Sequence, residues 1–236
     1  MWQAGAVTGR VLGADACRAG WVGIVLDGDA VTAHFGATIA ALVAAAEQAG
    51  PIEVVGIDIP IGLADHGPRA ADLQAYAKAG IRRSSVFITP VRRAVEAADY
   101  AAAAAVQRDL GLKGISQQAF HLRAKILDVD GWLRDGQTRR VVEVHPELSF
   151  AAMAGAPLAF RKSCWAGAEQ RRALLAAEGA LPAGDLGTAG AAAGVDDVLD
   201  AAAAAWTARR VLTGRAGSLP PEPEFFADGI PCAIWT

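Results

Sequence analysis

The alternation of apolar and polar positions opens the chain with β-structure. Residues 11–16 (VLGADA) and 21–26 (WVGIVL) are apolar and β-prone, and Cys17-Arg18-Ala19-Gly20 between them reads as the turn of a hairpin. A third short strand is predicted at 30–36, after Asp27-Gly28-Asp29. Residues 38–49 read as a helix, with Thr38 as its cap and Gly50-Pro51 as its stop. Residues 53–59 (EVVGIDI) read as a buried strand ended by Pro60. Three strands, a helix and another strand suit a mixed sheet in which antiparallel strands precede a parallel one.

The middle of the chain is more helical. Helices are predicted at 69–79, 92–110 and 117–135, with a polar, basic loop between the first two. Residues 140–145 (RVVEVH) are strand-like and stopped by Pro146, and a helix follows at 166–178. The Gly- and Ala-rich stretch 179–194 reads as a mobile connection, and the last long helix as 195–213. After Pro220-Pro221 and Pro223, the apolar end 230–235 reads as an edge strand. We expect one domain over 11–236, preceded by an N-terminal extension at 1–10.

Composition narrows the class. The chain has 236 residues, 53% of them hydrophobic, enough for a full core. A net charge of -3 argues against a dedicated DNA packager but leaves room for local basic patches. Cys17, Cys164 and Cys232 are scattered, without a C-x-x-C pair, so a disulfide framework or zinc site is not expected and a reducing compartment fits. The first residues carry no basic stretch leading into an apolar run, so no secretory signal is expected, and the location expected is the cytoplasm. The Ala-rich runs 101–105 and 201–205 are short and sit among charges; they read as small-residue helix faces, and no membrane partner is expected.

Acidic residues stand where soluble domains rarely place charge. Asp15 closes an apolar strand, Asp58 lies between Ile57 and Ile59, Glu143 between Val142 and Val144, and Asp197 and Asp200 open the Ala-rich helix. A carboxylate in an apolar setting needs a partner or a metal. A spacing of three puts Asp197 and Asp200 on one helix face. Hard oxygen ligands of this kind suit Mg2+ or Mn2+. The competing reading is local: an acid at a strand end is commonly a turn former, and Asp196 and Asp197 suit the positive end of a helix.

The motifs GADACRAGW (13–21), VGIDIPIGL (55–63), RRSSVF (82–87), LKGISQQ (112–118), KILDVD (125–130), EVHPELSF (143–150) and DDVLDAAAAAW (196–206) occur in one order. In these the chain resembles the family of RNase-H-fold nucleases, inferred as such from their fold, that is catalogued as domain of unknown function 429. Ala16, where that family usually has glycine, and Ile88-Thr89, where it more commonly has Pro-Ala, are departures that remove no acid. The resemblance implies an RNase H-like α/β fold: a mixed sheet flanked by helices, with a helical insertion. It also implies metal-binding and catalytic roles for Asp15, Asp58, Asp197 and Asp200, with Glu143 as a further ligand or base.

Basic and polar groups are the candidates for holding phosphate. They are Arg82, Arg83, Ser84 and Ser85; Lys113, Gln117 and Lys125; and Lys162. His145 lies two residues after Glu143, so both can face one side of a strand, as a proton donor or as a buried histidine with a backbone partner. Arg92, Arg93, Arg139 and Arg140 read as solvated surface with ordinary ion pairs. The function expected is metal-dependent hydrolysis of DNA or RNA. The alternatives are a hydrolase or phosphotransferase for a small phosphorylated metabolite, and a non-catalytic binding module. An actin-like ATPase is disfavoured, because the chain is too short for two such domains and carries no Gly-rich phosphate loop.

Overall fold

The structure is a computed structural model, and it describes residues 9–236. Most of the expected N-terminal extension, residues 1–8, lies outside the described residues. Within them, Arg10 pairs with Asp27 at 3.1 Å, at the start of the first strand.

The apolar, β-branched opening forms three antiparallel strands: β1 (Val11–Cys17), β2 (Gly20–Asp27) and β3 (Ala30–Gly36). Helix α1 (Ile39–Ala46) follows, and the Thr38 side chain accepts from the Ala41 N–H, as a cap should. Strand β4 (Val54–Ile57) then pairs parallel to β1. A helical insertion carries α2 (Ala70–Lys78), α3 (Arg92–Val95), α4 (Tyr100–Asp109), α5 (Gln117–His121) and α6 (Arg123–Arg134). Strand β5 (Arg140–Val144) pairs parallel to β4. Helices α7 (Pro146–Ala154), α8 (Trp165–Ala177), α9 (Gly187–Ala192) and α10 (Val195–Leu212) follow, and then β6 (Ser218–Phe225) and β7 (Pro231–Trp235). The sheet has seven strands in the order β3-β2-β1-β4-β5-β7-β6, a mixed, RNase H-like arrangement flanked by helices.

Several expectations are corrected. The segment 92–110 breaks after Val95, because Asp99 turns its side chain to cap a new helix at the Ala102 N–H. The segment 117–135 is two helices that meet at Leu122. Pro146 ends a strand and also opens α7, since proline at the first helical position lacks only an N–H that would be unbonded there. Part of the expected connection 179–194 is helical, as α9. Residues 231–235 do not form an edge: β7 lies between β5 and β6. The Pro-rich β6 takes the edge, where missing N–H donors cost least.

One layer of the core joins α10 to Val11, Val54 and Val142, and the other joins α1 and α6 to Leu12, Val55 and Ile57. The contact with α10 is a backbone contact. Ala201 to Ala205 are fully buried, and a Cβ added to Gly13 would lie 2.0 Å from the Ala205 nitrogen and 2.2 Å from the Ala201 oxygen. A Cβ on Gly56 would lie 2.8 Å from the Ala204 oxygen. Glycine on the strands and alanine on the helix therefore set the distance between sheet and helix. The two Ala-rich runs lie in α4 and α10, and among the described residues no helix is long and apolar enough to cross a membrane.

Gly13→Ala should therefore cost about 3 kcal/mol or more, because backbone on both sides must part. Gly131→Ala, on the open face of α6 with nothing within 4 Å of a new Cβ, should be neutral or up to about 1 kcal/mol stabilising. Denaturant unfolding of the two variants checks this; a native midpoint for Gly13→Ala would contradict the close packing.

Candidate metal centre

Parallel register brings the strand acids to one end of the sheet. Ala14 aligns with Ile57, and Ile57 with Glu143, so Asp15, Asp58 and Glu143 lie at the carboxyl ends of adjacent strands. The ladder reaches as far as Asp58, whose N–H donates to the Ala14 carbonyl at 2.9 Å. Side chains alternate, so Gly13 and Gly56, which face α10, place Asp15 and Asp58 on that same face. Asp200, in the second turn of α10, meets them there. One carboxylate oxygen from each of Asp15, Asp58 and Asp200 lies within 4.8 Å of the other two.

These three groups are held against their own charge. Burial pushes Asp15 well above the usual carboxylate range, with repulsion from Asp58 and Asp200 adding to it. Burial does the same to Asp58, and Asp200 adds to it. Asp200 is raised from its ordinary 3.8 to about 6, mainly by burial, and Lys162 offsets part of the rise. The Lys162 ammonium lies 2.6 Å from Asp200 Oδ2 and 3.4 Å from Asp196 Oδ2, and its side chain is 40% exposed. The cluster thus has one flexible countercharge. Closely spaced carboxylates with raised pKa values and hard oxygen donors fit a divalent cation, which would relieve their repulsion.

Glu143 is not among the three converging oxygens, although it lines the same cavity and its charge adds to the rise of Asp58. It is level with Ile57, so its side chain emerges on the opposite face of the sheet from Asp15 and Asp58. There Arg69 binds both its oxygens, at 2.8 and 2.9 Å, and the Ile61 N–H donates to Oε2 at 2.8 Å. Arg69 also pairs with Asp72, which accepts from the Thr89 N–H at 2.8 Å. This fully satisfied network ties the segment after Asp58 to β5 and α2. Asp197 is a second departure. Its Oδ2 accepts from the Gly194 N–H at 3.0 Å and so serves the start of α10, although its side chain lines the acidic cavity.

The candidate phosphate-binding residues divide. Lys162 is in the cluster, and Ser85 and His145 line the cavity. Arg82 is committed elsewhere: Nε donates to the Leu158 carbonyl at 2.8 Å and Nη2 to that of Ala159, pinning the 80–85 turn to the chain after α7. Lys125 donates to the Gly20 carbonyl at 2.7 Å and lies over the Trp21 ring. Arg83, Ser84, Lys113 and Gln117 are exposed and do not line the cavity. His145 has Nε2 3.4 Å from the Ser85 carbonyl and a buried Nδ1 with no partner, and burial lowers its pKa. Arg92, read as solvated surface, is instead mostly buried and bridges Asp130 and Asp228 at 2.9 and 2.6 Å.

Glu147 was missed by sequence reasoning. It lines the acidic cavity, pairs with the fully buried Arg171 at 2.6 Å through Oε1, and leaves Oε2 without a hydrogen bond. Its signal was Pro146-Glu147 after a strand, the start of a helix aimed from the same sheet end. The KILDVD motif proves structural. Asp128 accepts from the Trp21 indole at 2.7 Å and from the Ile39 N–H at 3.0 Å, and Asp130 holds Arg92.

Compared with known proteins, the chain matches the family model described as "Protein of unknown function (DUF429)" over residues 13–225. Comparisons with curated proteins and with solved structures returned no match.

The electrostatics set the pH dependence of stability. An acid whose folded pKa is raised binds more protons when folded, so stability falls as pH rises through the window between the unfolded and folded values. For Asp200 that window runs from 3.8 to about 6, a loss on the order of 3 kcal/mol. In EDTA, the protein should lose stability from about pH 4 to pH 6, and Asp58→Asn should be more stable than the native chain at pH 7.5. Manganese should stabilise the native protein by about 2.7 kcal/mol once free metal is ~100 times its dissociation constant, and Asp58→Asn far less. Asp197→Ala should lose about 1 kcal/mol with or without metal, as loss of a capping side chain does, and keep its metal response. Melting curves check all three; equal manganese responses in native and Asp58→Asn protein would count against a metal centre.

Proposed function

The chain belongs to the DUF429 family, and from its site we propose that it is a metal-dependent phosphodiesterase that cleaves nucleic acid, using Mg2+ or Mn2+. The observation that carries this reading is the convergence of Asp15, Asp58 and Asp200, from two adjacent parallel strands and the last helix, with oxygens within 4.8 Å of one another. Such a set can hold divalent cations, which would supply Lewis-acid polarisation of a phosphoryl oxygen. The protein's own part is positional. Asp15 and Asp58 are fixed by the β1–β4 ladder, and Asp15 Oδ1 is further held by the Ala16 N–H at 2.7 Å. Lys162, free to swing on a half-exposed stem, exchanges its carboxylate partners for phosphate oxygens when substrate enters. Glu147, oriented by Arg171, presents its unbonded oxygen as a proton acceptor beside the acids.

A second reading, hydrolysis of a small phosphorylated metabolite, is favoured by the cavity itself. Its volume of about 280 Å³ is near that of small-molecule sites, and Arg82 and Lys125 are spent on backbone carbonyls and not on a nucleic-acid track.

One assay separates the readings. The protein is incubated with single-stranded DNA, RNA, duplex DNA and a panel of phosphorylated metabolites, in Mn2+ or Mg2+ and in EDTA. Metal-dependent cleavage of a polynucleotide is expected, falling about 100-fold or more in Asp58→Asn and Asp200→Asn. Turnover of metabolites alone would favour the second reading; no hydrolysis of any substrate would overturn both.

A further inference from the structure

Helix α10 carries a second cavity near its other end. It has a volume of about 370 Å³, and its lining includes Asp29, Glu178, Trp206, Arg209, Arg210 and Arg215. Elsewhere several partly or fully buried arginines are paired with acids, as Arg10, Arg69, Arg92, Arg139 and Arg171 are. Among the described residues, none of the three cavity arginines forms an ion pair; each is anchored by one neutral contact. Arg209 donates to the Glu178 carbonyl at 2.6 Å, Arg210 to the Arg215 carbonyl at 2.7 Å, and Arg215 to the Thr213 hydroxyl at 3.0 Å. The Glu178 carboxylate is engaged by the Trp206 indole N–H at 2.8 Å. The Arg210 guanidinium lies 4.7 Å from the Trp206 ring centroid, and its buried Nε has no partner among the described residues.

Three arginines converge here, and among the described residues neither of the acids lining the cavity, Asp29 and Glu178, forms an ion pair with them; an anion would relieve their mutual repulsion. Burial already holds Arg209 below its usual range; Glu178 counters this and Arg215 adds to it. Guanidinium forks match phosphate oxygens in pairs. The volume falls in the range of small-molecule pockets, roughly 300–1,000 Å³, and so admits more than a bare ion. We propose that this cavity binds a phosphate-bearing small molecule through Arg209, Arg210 and Arg215. It is separate from the acid centre. Arg209 follows Asp200 on the same helix by nine residues, about 14 Å along the axis and half a turn round it. The proposal therefore stands whether or not the acids bind metal.

The test is thermal unfolding in EDTA, with inorganic phosphate or pyrophosphate compared with sodium chloride at matched ionic strength. The native protein should be stabilised by both phosphates, pyrophosphate more strongly. Arg209→Gln and the exposed Arg215→Gln should each weaken the apparent pyrophosphate affinity roughly tenfold. Asp58→Asn should respond as the native protein does. No stabilisation of the native protein beyond chloride, or an undiminished response in both arginine variants, would overturn the proposal. So would a response lost in Asp58→Asn, which would place the anion at the acid centre.

Discussion

The acid centre depends on how closely α10 can lie on the sheet. A helix on a sheet is ordinarily held off by side chains on both surfaces, and a short aspartate could not then reach from one to the other. Here Gly13 and Gly56 remove the side chains from the strands, and Ala201 to Ala205 reduce them on the helix. The backbones meet, and Asp200 comes into range of Asp15 and Asp58. The small residues thus act on the chemistry from inside the core: they fix the separation of carboxylates that they never touch.

That geometry has a cost in stability. Each of the three acids is placed where its charge is disfavoured by burial and by its neighbours. Lys162 returns part of the loss but remains half-exposed, a partner that can leave. The surroundings are rigid by contrast. Arg69 is paired at short distance with Glu143 and Asp72 beside the same cavity, Arg171 holds the cavity's Glu147, and Arg92 joins Asp130 and Asp228 elsewhere. These ion pairs hold the frame, while at the acid centre three carboxylates share one flexible ammonium.

Much of the fold was legible in the sequence because period-two apolar runs, Gly50-Pro51, Pro60 and the Ala-rich last helix are local signals. What failed depended on partners far along the chain. The position of β7 inside the sheet is decided by its pairing with β5 and β6. Asp15, Asp58 and Asp200 could be read as a set, but the face taken by Glu143 depends on a register with β4 that no single strand encodes: a shift of one residue would have turned it toward α10. Arg82 and Lys125 looked available for phosphate because their acceptors are backbone carbonyls 76 and 105 residues away. Glu147 was hidden because Pro146 reads as the end of a strand as readily as the start of a helix.

The central claim is that Asp15, Asp58 and Asp200 together form a divalent-metal site. Anomalous diffraction from crystals of the full chain soaked in manganese tests it most directly. The account predicts an anomalous peak bound by carboxylate oxygens of all three residues, with the Lys162 ammonium displaced from Asp200. Crystals of the same soak with manganese bound elsewhere, and none among these three carboxylates, would contradict it.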